Sequence, residues 1–185
     1  MRATLGITLV LLLVAVTACQ DAAAPDPTPT AAGNAPATPA RIMPAATASL
    51  RCENPIGAPR TPPAPHRTVL DTVALDSQSV LHVSRTDPTS PQPFFAKTGL
   101  MIRPGRTATL SVPQGQAGRV ALSWGTNGTE WTTSLTIPAC PGSPDSWLVF
   151  PGGVQVDSPM CVPVQVRTDE QFALVHLSIG IPCPT

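Results

Sequence analysis

The chain has 185 residues, a formal net charge of +0 and 12% charged side chains. That length fits one domain with appendages, and the charge leaves no basic block of the kind nucleic-acid binding requires. The 24 prolines far exceed the average usage of about 5%, and the eleven that lie before residue 66 mark connecting chain and not a core.

Met1 and Arg2 give a short positive start, and an uncharged apolar run follows to Ala18. The run is shorter than the roughly 20 residues a spanning helix needs. A positive start, a short apolar core and small residues at its end are the layout of a secretory signal. The segment Val16-Thr17-Ala18-Cys19 resembles the lipobox of bacterial lipoproteins, although that family favours leucine where Val16 stands. The resemblance covers only the first nineteen or so residues. It implies diacylglycerol on the Cys19 thiol, cleavage after Ala18, and residues 1–18 as signal peptide. The protein is then expected on the extracytoplasmic face of the cell membrane, held by lipid chains that contribute about 0.8 kcal/mol per buried methylene. High alanine, threonine, proline and arginine content resembles exported proteins of high-GC actinobacteria.

Cys19 and the Ala/Pro/Thr-rich residues 20–49 form the next unit. A segment this poor in large apolar side chains cannot offset its ordering entropy and is expected to be a disordered linker. Its prolines favour an extended path of about 3.1 Å per residue, a reach of up to roughly 90 Å. Threonines among prolines also resemble O-glycosylated stalks. A second proline-rich stretch, Asn54 to Pro65, is expected to pack along the domain as irregular chain.

Residues 50–185 carry the domain. Short runs of valine, leucine, isoleucine and threonine alternate with turn residues from about His66. Strands are expected at 67–75, 79–84, 94–103, 107–112 and 119–124. Further strands are expected at 130–137, 147–150, 154–156, 162–168 and 172–181. Inward faces would carry Ala108, Leu110 and Val112, then Val120, Leu122 and Trp124, then Val162, Val164 and Val166, and finally Val175, Leu177, Ile179 and Ile181. Asn127-Gly128 is a strong hairpin signal because both residues tolerate positive φ. Pro163 cannot donate to a ladder, so its strand starts there or lies at an edge. Strands at this spacing indicate an all-β fold, an antiparallel β-sandwich. An immunoglobulin-like Greek key comes first, with a jelly roll or partly closed barrel as the alternative. The stretch from Cys140 to Cys183 resembles uncharacterised exported actinobacterial proteins and brings no activity with it.

Lipid on Cys19 leaves Cys52, Cys140, Cys161 and Cys183. An even remainder in an exported chain points to two disulfides, with three connectivities open. Cys140 with Cys161 would close the excursion through Trp147, and Cys52 with Cys183 would tie the domain ends together. Cys161 with Cys183 across the final hairpin is the alternative.

No GxSxG, SxxK or phosphate-loop motif occurs, and His66, His82 and His176 stand far apart in sequence. No catalytic residues, metal ligands or cofactor are therefore expected. Trp124 and Trp131, bracketing the Asn127-Gly128 hairpin, are the candidate ligand platform, because indole offers apolar area with a polar edge. Together these features predict a lipid-anchored binding or scaffolding module whose partner is a cell-wall polymer or envelope protein. An envelope enzyme assembled from distant loops and a structural wall lipoprotein are the alternatives.

Overall fold

The computed structural model describes residues 47–125 and 131–184. The expected signal peptide, Cys19, the expected linker up to residue 46 and the expected Asn127-Gly128 turn lie outside the described residues. The described chain is all-β. Its largest sheet has six strands in the order β1 (Thr47–Ser49), β10 (Ser134–Ile137), β8 (Ala108–Ser111), β13 (Met160–Arg167), β14 (Phe172–Ile179) and β4 (Val80–Leu81). A second sheet runs β11 (Leu148–Phe150), β7 (Leu100–Ile102), β3 (Val73–Asp76) and β2 (His66–Val69). The third runs β5 (Val83–Arg85), β6 (Phe94–Lys97), β12 (Gly152–Val156) and β9 (Val120–Trp124). Pairing is antiparallel except at β1–β10 and β14–β4, and no closed barrel forms among the described residues.

Strict alternation builds the core. Leu110, Val162, Val164, Val166, Leu177 and Ile179 project from the large sheet into one buried cluster. They meet Val73, Leu75, Leu100, Ile102 and Phe150 from the second sheet and Val120, Leu122, Val154 and Val156 from the third. The six-stranded layer thus faces a layer made of two smaller sheets, which is a sandwich. Ile181, expected inside, is 45% exposed, because β14 ends at Ile179 and Gly180 turns the chain away at φ 72°.

The expected strand at 94–103 is split where the chain passes from one small sheet to the other, and the expected runs at 147–150 and 154–156 likewise fall in different small sheets. Thr98-Gly99 separates β6 from β7, and Pro151 separates β11 from β12. The two bends sit side by side, with the Thr98 N–H donating to the Gly152 carbonyl. Glycine is required just after Pro151: a Cβ on Gly152 would collide with the Ser123 carbonyl, and one on Gly153 with the Ala96 carbonyl. The expected strand at 67–75 is a hairpin instead, because Leu70 and Asp71 both take positive φ, 52° and 48°. Neither is the glycine or asparagine that usually marks such a turn, which is why the sequence reads as continuous.

Pro163 lies inside β13 and not at its start. The ladder explains how it is tolerated. The Thr168 N–H donates to the Gln171 carbonyl at the hairpin turn, and hydrogen-bonded pairs alternate from there. The Pro163–His176 pair is then a non-bonded one, so the missing N–H faces the β8 side. There β8 pairs only with Gln165 to Arg167, and Pro163 sits at a local edge.

The linker ends earlier than residue 49, since Thr47–Ser49 pair in parallel with β10 and Leu50 is buried. The Asn54–Pro65 segment does pack along the domain. The Ile56 and Trp147 N–H groups donate to the Val149 and Pro59 carbonyls, and the Val149 N–H donates to Gly57. This strap covers Ala74, Met101 and Trp147, a small second core on the outer side of the second sheet.

All four domain cysteines are in disulfides, but the expected pairing is wrong. The bonds are Cys52–Cys140 and Cys161–Cys183. Because β1 and β10 run parallel with Ser49 opposite Thr136, both chains leave the sheet at the same end, and Cys52 and Cys140 emerge together. Cys161 lies opposite Ser178, and after the Gly180 turn the Cys183 N–H donates to Ser178 Oγ, which brings Cys183 back beside Cys161. Two disulfides belong to an oxidising, extracytoplasmic compartment. Among the described residues no helix is long and apolar enough to cross a membrane.

Candidate functional site

The expected tryptophan pair does not form a platform. Trp124 points into the core, 5% exposed, and its Nε1–H donates to the Thr98 carbonyl at 2.9 Å. Trp131 is half-buried and packs edge-on against Phe95, ring centroids 5.8 Å apart. Phe95 lies opposite Gln155 in the β6–β12 ladder, with its ring against Gly153, so this pair covers the outer side of the third sheet. The inward and outward rings therefore cannot grip one ligand. Trp147 is buried under Arg103, whose guanidinium carbon lies 4.5 Å from the ring centroid.

The histidines form no shared constellation in the hydrogen-bond network. His82 and His176 are exposed, while both His66 ring nitrogens are buried without a partner, the ring lying near Gly99. Among the described residues no group of three or more His, Cys, Asp or Glu is placed to hold a metal ion. Asp157 and Arg119 pair at 2.7 Å where β12 ends and β9 begins. The Arg119 hydrogen bond holds the Asp157 carboxyl below the usual aspartate range.

A different surface emerges from the register of the large sheet. Its outward positions align across strands into two rows. One row runs Ser49, Thr136, Thr109, Arg167, Phe172, and the next runs Thr47, Ser134, Ser111, Gln165, Leu174. Neighbouring strands lie about 4.8 Å apart, and alternate residues on a strand roughly 6.8 Å apart, so these side chains form a regular lattice over the outer face of the sheet. The side chains of Thr47, Ser49, Thr109, Ser111, Ser134, Thr136 and Gln165 make no hydrogen bond within the described protein. Phe172 and Leu174 stand 54% and 47% exposed at one end of the rows, and the Arg167 guanidinium lies 5.9 Å from the Phe172 centroid. A shallow depression of about 410 Å³ borders Leu174 and His176, and another of about 330 Å³ borders Thr109, Thr136 and Arg167.

Thr109, Ser111, Ser134, Thr136, Gln165, Phe172 and Leu174 were legible as solvent-facing from alternation in TATLSV, SLTI, VPVQV and FALVHLS, and Arg167 from its place one step beyond Val166, whereas Thr47 and Ser49 were not, because they fell in the segment read as linker. Their assembly was not, because it depends on strand order between segments far apart in the chain. Chemically the lattice offers many hydroxyl donors and acceptors on one sheet face, flanked by the exposed Phe172 ring and the exposed Arg167 guanidinium. No protein-family model matches the chain, and no curated protein matches it.

Proposed function

We propose that the protein is a lipid-anchored binding module displayed outside the cell membrane, and that the outer face of the six-stranded sheet takes a polyhydroxylated cell-wall polymer. The observation that carries this reading is the two-row lattice of Ser, Thr and Gln side chains with no internal hydrogen-bond partner. Hydroxyls at regular spacing exchange hydrogen bonds with water for hydrogen bonds with sugar hydroxyls. The exposed Phe172 ring adds apolar area against a sugar face. The Val16-Thr17-Ala18-Cys19 signal and the proline-rich segment after it supply the anchor and the reach. The disulfides support an extracytoplasmic location.

The test is co-sedimentation with purified wall sacculi. The Thr109→Val, Thr136→Val double variant removes two central hydroxyls and keeps β-branched shape. It should lose most of the bound fraction while melting like the wild type. Undiminished binding by that variant, or no sedimentation of the wild type, refutes the proposed surface.

A further inference from the structure

The groove beside β14 has a second property that the wall-polymer reading does not use. In the large sheet β4 pairs only with Ser178 and Ile179, so among the described residues the earlier part of β14 has no strand partner on that side. By the ladder alternation from the Thr168–Gln171 bond, Leu174 and His176 are non-bonded towards β13. Their N–H and C=O groups therefore point outward along this free edge. Across the groove stands β2, the last strand of its own sheet and, among the described residues, also free on its outer side. The space between, about 410 Å³, is lined by Arg67 to Leu70 on one flank and Ala173 to His176 on the other. An open edge is a template for another strand unless lysine, proline or a covering loop blunts it, and Phe172–Ile179 carries neither lysine nor proline.

The chemistry of the lining selects an occupant. Leu174, Val69 and Leu70 offer apolar contacts on one side. Among the described residues the Arg67 guanidinium makes no ion pair or hydrogen bond, His176 is exposed beside it, and no carboxylate lines the groove. The nearby acids are engaged elsewhere: Asp71 with Arg103, and Asp76 with the Ser79 hydroxyl and N–H. We propose that this groove binds an extended peptide segment of another envelope protein, added as a strand along β14, with apolar side chains alternating and one acidic side chain directed at Arg67. Main-chain ladder bonds supply affinity, and the side-chain pockets supply selection, as in other strand-addition sites.

The test uses detergent-solubilised protein and a dye-labelled hexapeptide of alternating valine and threonine with one central glutamate, read by fluorescence anisotropy. Saturable binding is expected. Lysine in place of glutamate should weaken it roughly fivefold to tenfold, and N-methylation along the peptide backbone by about tenfold or more. Arg67→Glu should reverse the glutamate–lysine preference, a readout that a general surface effect would not give. Leu174→Pro removes a ladder donor on the free edge, a position where proline is tolerated, and should weaken every peptide alike. Equal binding of the methylated peptide overturns the strand-addition reading, as does an absence of binding. A protein dimer formed through β14 that excludes the peptide overturns it as well, by assigning the edge to a second copy.

Discussion

Arg103 is the side chain whose removal the structure predicts most sharply. It follows β7 and reaches the Leu70-Asp71 turn, where Nε donates to the Asp71 carbonyl at 3.2 Å and Nη2 pairs with Asp71 Oδ1 at 2.8 Å. Its guanidinium also lies over Trp147. The turn has two non-glycine residues at positive φ, a conformation costing roughly 1–2 kcal/mol per residue, so it needs an external hold. The Asp71 carboxylate is 68% exposed, and such an ion pair contributes at most about 1 kcal/mol. The charged bond to the backbone carbonyl adds about 1–1.5 kcal/mol at this partial exposure, and the stack on Trp147 about 0.5–1 kcal/mol. The bond to the Pro144 carbonyl at 3.4 Å is too long to count for much. Arg103→Ala should therefore lower unfolding free energy by about 2–3 kcal/mol, a melting-temperature loss of roughly 10 °C for a domain of this size. Arg103→Lys keeps charge without the planar fork and should fall midway, whereas Asp71→Asn should cost under about 1 kcal/mol. Urea unfolding followed by tryptophan fluorescence and far-UV dichroism measures all three. If Asp71→Asn equals Arg103→Ala, the ion pair and not the stack and backbone bond holds this corner, and the reasoning fails.

Cys19→Ala should release the protein from the membrane fraction or leave it uncut; unchanged, detergent-requiring membrane association of a mature variant contradicts lipid anchoring. Non-reducing peptide mapping should yield Cys52–Cys140 and Cys161–Cys183 peptides. With sequence separations of 88 and 22, the chain-entropy relation gives about 4.6 and about 3.4 kcal/mol, so Cys52→Ser, Cys140→Ser should destabilise more than the other double variant. For Asp157, the lowered folded-state pKa means stabilisation that is present above the usual aspartate range and lost as pH falls through the folded value. The stability gap between wild type and Asp157→Asn should therefore close on acidification below that range, and a gap that persists there rules the ion pair out as its cause.

The strand faces were readable from the sequence because alternation is local. Val162, Val164 and Val166, or Leu110 and Val112, fall inside wherever the strand sits, since a one-residue slip would move them all to solvent. Features set by partners were not readable. The Leu70-Asp71 turn depends on Arg103, about thirty residues away. The disulfides depend on a parallel β1–β10 pair and on the return of the chain at Gly180. Trp124 and Trp131 bracket one expected turn, yet alternation and the Leu122–Thr132 bridge send the two rings to opposite sides of a sheet. A motif defined by closeness in sequence was mistaken for closeness on one surface.

The two sides of the sandwich explain why the ligand surface is sought on the large sheet. In the second sheet Val73, Ala74, Leu75 and Asp76 are all buried, so both faces of β3 are covered, the inner one by the core and the outer by the proline-rich strap. In the third sheet every residue of β9 is buried, and Phe95 with Trp131 closes the outer side near Gly153. Sheets covered on both faces read as continuous apolar runs. β13 and β14 instead alternate buried and open residues along eight positions each, the pattern of a sheet with one face left to solvent. Within that open face the described chain begins at β1, on the edge opposite β14 and β4. Three intervening strands, β10, β8 and β13, separate that beginning from the free β14 edge, a distance of about 19 Å. Under the proposed anchoring the chain would enter this sheet at β1, the margin opposite the proposed β14 binding edge, so that anchoring the chain and presenting its open face would not compete for the same surface.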